Sequence, residues 1–168
     1  MLSVVDTVAR AVDDGDVCAL VLLDLSAAFD TVDHDILLEI LANRFSVCDV
    51  ALNWFQSYLT DRTQIVCTAG GESRPSFLRC GVPQGSVAGP VKFISYTEDI
   101  QEVISSHQLR FHLYADDTQL LSRMSMLDVD VCCHILSDCV SSIHQWCSSR
   151  RLQLNPENTK AGKVTSMA

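Results

Sequence analysis

The sequence lacks any apolar run long enough to cross a membrane as a helix. Such a helix needs about 20 consecutive apolar residues, and polar or charged residues interrupt every apolar stretch of this 168-residue chain before that length. Residues 1–10 also lack the basic start and the continuous apolar segment of a secretory signal peptide. These absences predict an intracellular protein with no membrane partner.

The eight cysteines lack the spacing of a zinc site or of a disulfide framework. No two of them form a Cys-x-x-Cys pair, and no histidine-rich segment accompanies them. Only Cys132 and Cys133 are close in sequence, and no second pair is available to complete a tetrahedral metal site. Buried free thiols are the simpler interpretation.

Positive charge is also scarce, because 12 Lys and Arg residues face 21 Asp and Glu residues and give a formal net charge of −9. An independent nucleic-acid binder normally has a surplus of basic side chains that neutralise phosphates. The balance therefore argues against binding through overall charge, although carboxylates that hold divalent cations reverse the charge locally. The apolar fraction of 48% is enough for a globular core.

The first half of the chain predicts one strand, two helices and a hairpin. Residues 17–25 form an almost unbroken apolar run, which is typical of a strand covered on both faces. Residues 36–41 have helical spacing, and Asp49 is expected to cap a second helix. Gly and Pro punctuation within residues 64–80 indicates a β-hairpin.

The second half predicts a helix at residues 87–104, then two short strands joined at Asp116 and Asp117. An amphipathic helix over residues 128–147 follows, and Leu152 to Leu154 begin a further extended segment. With the insertion between Thr31 and Cys80 set aside, the order is strand, helix, strand, strand, helix, strand.

That order is typical of the split βαβ, or ferredoxin-like, α+β fold. We expect one domain over residues 1–160 and a disordered tail at residues 161–168, where the apolar patterning stops.

Three aspartates occupy positions where a carboxylate is costly. Asp24 ends a buried strand, and Asp116 and Asp117 are adjacent like charges at a hairpin tip. The split βαβ order allows the first strand and the hairpin to lie side by side, and clustered carboxylates suit Mg²⁺. Two such ions about 4 Å apart support phosphoryl displacement. Taken singly, Asp24 could instead be a strand-end cap and the pair an Asp-rich turn.

Three ordered segments resemble signatures of the reverse transcriptases of non-LTR (LINE-type) retrotransposons. They are residues 22–34, residues 81–90 and residues 114–119, the last containing Tyr-Ala-Asp-Asp. A fourth segment, Trp146 with residues 150–160, resembles the stretch that follows the family's catalytic hairpin. The resemblance extends from about residue 18 to residue 160.

This resemblance implies an RNA-directed DNA polymerase palm that transfers a nucleotide from a dNTP to a primer 3′-hydroxyl. It implies Asp24, Asp116 and Asp117 as the metal-binding catalytic triad, with Mg²⁺ or alternatively Mn²⁺ as the ion. An RNA template and a DNA primer would be the other partners. Asp116 is favoured within the hairpin pair because neighbouring residues on extended backbone point to opposite faces.

Other site residues follow from the same resemblance. Phe29 would lie under the sugar of the incoming nucleotide, with a core aromatic as the ordinary alternative. Gln84 and Gly85 would pass close to template and nucleotide, with a simple Pro-Gly loop as the alternative. Leu25 is assigned to substrate binding. Lys160 would lie near the leaving pyrophosphate, with a solvated lysine as the alternative.

The sequence departs from the family at Ala88, where leucine is usual, and at Lys92, where an aliphatic residue is usual. The resemblance also implies a truncated palm, with fingers largely absent and the thumb absent. Two alternatives to a polymerase therefore remain. One is an inactive remnant that binds a protein partner through apolar surface exposed by truncation, and the other is an unrelated acidic α+β domain.

Overall fold

The computed structural model describes residues 2–83 and 85–164. The single domain over residues 1–160 stays a prediction. The described residues form two compact units, of which unit 1 comprises those within residues 1–26 and 99–168 and unit 2 those within residues 27–98. In chain order the elements are α1 (Leu2–Asp13), β1 (Val17–Leu23), α2 (His34–Asn43), α3 (Asp49–Leu59), β2 (Thr63–Gln64), β3 (Cys67–Thr68), β4 (Gly71–Glu72), β5 (Ser76–Phe77), α4 (Gly89–Thr97), α5 (Ile100–Ser106), β6 (Arg110–Tyr114), β7 (Asp117–Met124), α6 (Val129–Ser149) and β8 (Lys160–Val164).

Unit 1 contains a four-stranded sheet in the order β6-β7-β1-β8. All neighbouring strands are antiparallel, so β6 is parallel to β1 with β7 between them. The predicted split βαβ strand arrangement is therefore confirmed for this sheet. Strand β1 therefore lies between β7 and β8 and has a strand on each side.

The core of unit 1 follows from the apolar pattern of its elements. In β1, Val17, Cys18 and Leu23 are buried, as expected for a central strand. Helix α6 buries Cys132, Leu136, Cys139, Ile143, Trp146 and Cys147. Their spacing of three and four residues forms one apolar face, and each large aliphatic side chain contributes about 2 kcal/mol when buried.

Helix α1 was not among the predicted elements. Its Val4, Val8 and Ala11 recur at helical spacing and pack with Cys18 and Leu121 of the sheet. This periodicity was readable from the sequence. The helix therefore adds a further layer to the core of unit 1.

The last strand corrects two predictions about the end of the chain. Leu154 forms only an isolated bridge with Leu25, and the strand itself is β8, which pairs with residues 18–22 of β1. The predicted disordered tail is therefore wrong for residues 161–164, while residues 165–168 lie outside the described residues. Pairing with β1 overrides the weak strand propensity of Ala161 and Gly162.

Unit 2 contains the predicted pair of helices, α2 and α3. Asp33 caps α2 by accepting a hydrogen bond from Ile36 N at 3.0 Å. The predicted capping role of Asp49 is wrong, because Asp49 lies inside the first turn of α3 and the cap residue is Cys48. The predicted helix at residues 87–104 is two helices, α4 and α5.

The predicted hairpin at residues 64–80 consists of two small ribbons. Strand β2 pairs with β5, and β3 pairs with β4, and all four strands are exposed two-residue segments.

None of the helices described within residues 2–83 and 85–164 combines the length and hydropathy of a membrane span.

Candidate metal centre

The register of the sheet places the predicted catalytic carboxylates at one end of β1. Leu23, the last residue of β1, pairs with Thr118 of β7. Across the β6–β7 hairpin, Tyr114 pairs with Asp117, so the reversal consists of Ala115 and Asp116 alone. In an antiparallel pair, the residue after Leu23 lies beside the residue before Thr118. Asp24 and Asp117 are therefore neighbours across two strands.

The hairpin turn places Asp116 differently from Asp117. Ala115 has a positive φ of 53°, which lets the chain reverse within two residues. Asp116 is half-buried in this turn, whereas Asp117 is exposed at the start of β7. Asp117 is therefore a candidate metal ligand as well as Asp116, the residue of this pair that the sequence favours.

A cavity of about 300 Å³ lies at this end of the sheet and is lined by Leu22, Leu23, Asp24, Asp117, Asn158 and Lys160. It brings two of the three predicted metal-binding carboxylates together with the predicted catalytic lysine. Asp116 is not among its lining residues. Lys160 is exposed and begins β8 opposite Leu22, so its register in the sheet explains its place in the cavity.

The carboxylate of Asp24 is held by two side-chain amides. Asn155 Nδ2 donates to Asp24 Oδ2 at 3.1 Å, and Asn158 Nδ2 donates to the same oxygen at 2.8 Å. Asn155 N also donates to the backbone oxygen of Asp24 at 2.8 Å. Hydrogen bonds to a charged acceptor are stronger than those between neutral groups, so Asp24 has a fixed orientation.

The chemistry of the donors fits a hard divalent cation. Within residues 2–83 and 85–164, no three His, Cys, Asp or Glu side chains are already gathered as a metal site. The cavity offers the carboxylates of Asp24 and Asp117, and Mg²⁺ typically takes one or two carboxylates and completes its shell with water and substrate phosphates. The residues present therefore suit Mg²⁺ better than zinc, which prefers Cys and His.

The remaining predicted site residues have structural roles of their own. Leu25 is half-buried in unit 1, and its backbone bridges to Leu154. In unit 2, Phe29 stacks on Phe93 with ring centroids 4.8 Å apart. This contact agrees with the alternative of a core aromatic and leaves a role at the nucleotide sugar as a prediction.

The Pro-Gly loop belongs to unit 2. Gln84 lies outside the described residues. Gly85 has a φ of 79°, where L side chains are strained, although a Cβ there would meet no atom within 4 Å. Gly81 differs because an added Cβ would lie 3.0 Å from Asp30 O. Gly81 is therefore required by close backbone approach and by its φ of 92°, and Gly85 by its φ alone.

Sequence reasoning missed Asn155 and Asn158 as site residues. Both lie in the fourth segment of family resemblance, from which only Lys160 is predicted as a site residue. The signal that could have found them is the Asn-Pro turn, because Asn side chains in turns are well placed to bond nearby polar groups. Sequence alone gave no reason to pair them with a residue more than 130 positions away.

Comparison with known sequences identifies the class. Residues 3–167 match the family described as reverse transcriptase (RNA-dependent DNA polymerase). The chain is 30% identical over 161 residues to the probable RNA-directed DNA polymerase from transposon BS of Drosophila melanogaster, covering 90% of this chain and 17% of that protein. It is 28% identical over 167 residues to the RNA-directed DNA polymerase from mobile element jockey of the same organism, covering 96% and 18%.

Two further matches extend this picture. The Pol polyprotein from type-1 retrotransposable element R2 of Popillia japonica is 26% identical over 148 residues, covering 82% of this chain and 23% of that protein. Apo telomerase from Candida tropicalis superposes with a TM-score of 0.68 at 16% identity, covering 100% of this chain and 36% of that one. The telomerase likeness shows a shared fold alone.

The split βαβ sheet makes this a mixed α+β protein, with a carboxylate-lined cavity at one end of its strand β1. The chain belongs to the reverse transcriptase family and is related to the polymerases of non-LTR retrotransposons. It spans about 17–23% of the length of these curated relatives.

Proposed function

We propose that this chain provides the metal-binding palm of an RNA-directed DNA polymerase. The proposal depends above all on the cavity in which Asp24, Asp117 and Lys160 meet. Asp24, Asp116 and Asp117 are the metal-binding residues of this proposal. Family membership supports it, since the aspartates fall in the segments that carry the family resemblance.

The residues of the cavity divide the chemistry of nucleotidyl transfer. Bound Mg²⁺ would stabilise negative charge on the attacking and leaving oxygens of the phosphoryl transfer. Asp24 and Asp117 would hold the cation from two adjacent strands, and Asp116, which does not line the cavity, would be the third ligand, from the turn between β6 and β7. The ammonium of Lys160 offsets charge that develops on the leaving pyrophosphate.

Substrate binding is the second part of the proposal. The substrates are a dNTP and a DNA primer paired with an RNA template, and Leu25, Phe29, Gln84 and Gly85 are the proposed contacts. Gly85 supports this role because its positive φ presents backbone without a side chain. The net charge of −9 implies that segments of a longer polymerase would supply much of the positive charge that grips the duplex.

Primer extension on an RNA template tests the catalytic role directly. Asp24→Asn and Asp117→Asn should each lower incorporation by at least about 100-fold, because each removes an anionic ligand of the cation. The matched control is Asp138→Asn on the exposed surface of α6, which should incorporate nucleotide as well as the unmodified chain does. An unmodified chain that incorporates no more than Asp24→Asn would overturn the proposal.

A noncatalytic protein-interaction module is the second candidate function. The observation that favours it is a group of exposed apolar side chains around the start of α6. Leu127, which precedes the helix, is 94% exposed, and Val131 and Ile135 within the helix are also exposed. Size-exclusion chromatography together with binding of an environment-sensitive dye tests it. A monomer that binds no dye would eliminate this candidate.

A further inference from the structure

We propose that Asn155 and Asn158 are positioning residues that orient the carboxylate of Asp24 toward a divalent cation. This inference rests on the proposed function, because it concerns the same cavity. Neither residue has metal-ligand chemistry of its own here, since each presents an amide N–H to the carboxylate. They act on the cation through Asp24.

The chain segment that pairs with β1 on the side of β8 is interrupted beside Asp24, between Asn155 and Lys160. Residues 153–155 run antiparallel to residues 24–26, through Ser26 N to Gln153 O at 2.8 Å and Asn155 N to Asp24 O at 2.8 Å. Pairing resumes in β8, where Lys160 lies opposite Leu22. The intervening residues 156–159 bulge out of the edge and return the Asn158 side chain to Asp24. Bulges commonly re-aim a side chain next to an active site.

The two asparagines differ in how firmly they are themselves held. Asn155 is half-buried, its Oδ1 accepts from Glu157 N at 3.1 Å, and its backbone oxygen accepts from Thr159 N and from Thr159 Oγ1. Asn155 therefore builds the turn as well as holding the carboxylate. Asn158 is exposed, and its contact with Asp24 serves the carboxylate alone.

Both amides donate to one oxygen, Oδ2, which fixes the rotation of the carboxylate. Oδ1 has no hydrogen-bond partner among residues 2–83 and 85–164. An ionised carboxylate has about four lone-pair sites, so two amides on one oxygen leave the other oxygen for a cation. Partners that orient a ligand in this way typically change metal affinity about 10- to 100-fold when they are removed.

The test is a Mn²⁺ titration followed by electron paramagnetic resonance, in which the signal of free Mn²⁺ reports binding without any catalytic turnover. The variants are Asn158→Ala, Asn158→Gln and Asp24→Asn, with Asn53→Ala on the exposed face of α3 as the matched control. Asn158→Ala should weaken Mn²⁺ binding about tenfold while the thermal midpoint stays unchanged. Asn158→Gln, which keeps the amide donor, should recover part of the affinity.

The outcomes separate this inference from the function on which it rests. If Asp24→Asn loses Mn²⁺ binding but Asn158→Ala binds as tightly as the unmodified chain, the positioning role is overturned and the metal site stands. If the unmodified chain binds Mn²⁺ no better than Asp24→Asn, both are overturned. An equal loss in Asn53→Ala would also overturn the positioning role, because the amides that hold the Asp24 carboxylate are those of Asn155 and Asn158.

Discussion

Asp24 in unit 1 and Lys92 in unit 2 are charged groups in contrasting surroundings. Asp24 accepts hydrogen bonds from two amides. The side chain of Lys92 is 1% exposed, and its Nζ has no hydrogen-bond partner among the described residues. The fold therefore gives the carboxylate of Asp24, which lines the cavity, hydrogen-bond donors. It gives the ammonium of Lys92 only contacts with aromatic rings.

Aromatic rings are what stabilise the ammonium of Lys92. Its Nζ lies 3.2 Å from the centroid of the Tyr58 ring and 5.3 Å from that of Phe55. Burial, and to a smaller extent the positive charge of Arg62, lower the pKa of Lys92 from 10.5 to about 8. Cation–π contacts therefore offset only part of the desolvation cost.

The largest expected effect comes from removing this charge. Lys92→Met keeps the long unbranched side chain and should raise the free energy of unfolding at pH 7 by about 3 kcal/mol, which is the cost that corresponds to the lowered pKa. Urea denaturation measures the change. Lys160→Met is the control, because Lys160 is exposed and its replacement should change the stability by less than about 0.5 kcal/mol.

A paired charge in unit 1 should respond in the opposite direction. Asp99 forms an ion pair with Arg150 and accepts a hydrogen bond from Trp146 Nε1 at 3.1 Å, and both charged side chains are mostly buried. Arg150→Met should lower the free energy of unfolding by about 2 kcal/mol, because it removes the guanidinium paired with the mostly buried Asp99.

Thermal unfolding measures this loss, with Arg110→Met on the exposed face of β6 as the matched control. Equal stability of the two variants would contradict the contribution assigned to the Asp99–Arg150 pair. A gain in stability for Arg150→Met would show that removing a paired charge in unit 1 has the same effect as removing Lys92 in unit 2.

The smallest expected effect is on pH dependence. Since the pKa of Lys92 is lowered to about 8 in the folded protein, the unfolded chain binds more protons above pH 8 and stability should rise with pH. We expect Lys92 to contribute a gain of about 1 kcal/mol between pH 7.5 and pH 9. The thiols of Cys139 and Cys147, whose pKa burial raises from 9.0 to about 11, oppose this gain over the same pH range, because the unfolded thiols lose their protons first.

Urea titrations of the unmodified chain and of Lys92→Met at the two pH values measure the gain as the difference between them, since the thiols act equally in both. A gain of the same size in that variant would assign the pH dependence to other groups. It would also weaken the account of Lys92 as an uncompensated charge.

Periodic apolar segments made much of unit 1 predictable from sequence. The run in β1, the hairpin around Asp116 and the face of α6 each carry a local pattern that sets the element type. The strand order then followed from the order of the elements. Helix α1 had the same kind of signal in Val4, Val8 and Ala11 and could have been predicted.

Features set by tertiary contact could not be predicted in this way. Strand β8 contains Ala161 and Gly162, which are poor strand formers, and its place is set by pairing with β1. The contacts of Asn155 and Asn158 with Asp24 depend on a bulge whose shape no local pattern specifies. The sequence marks Lys92 as a departure from the family, but only the structure identifies the rings of α3 as its surroundings.

The distance in sequence between Asp24 and Asn158, 134 positions, has a consequence for how the protein folds. Closing so long a loop costs entropy before any contact in the cavity repays it. Strand β1 can pair only after β7 and β8 have been synthesised, so the cavity should be one of the last parts of unit 1 to form during synthesis. An incomplete chain would show its aspartates as ordinary surface charges.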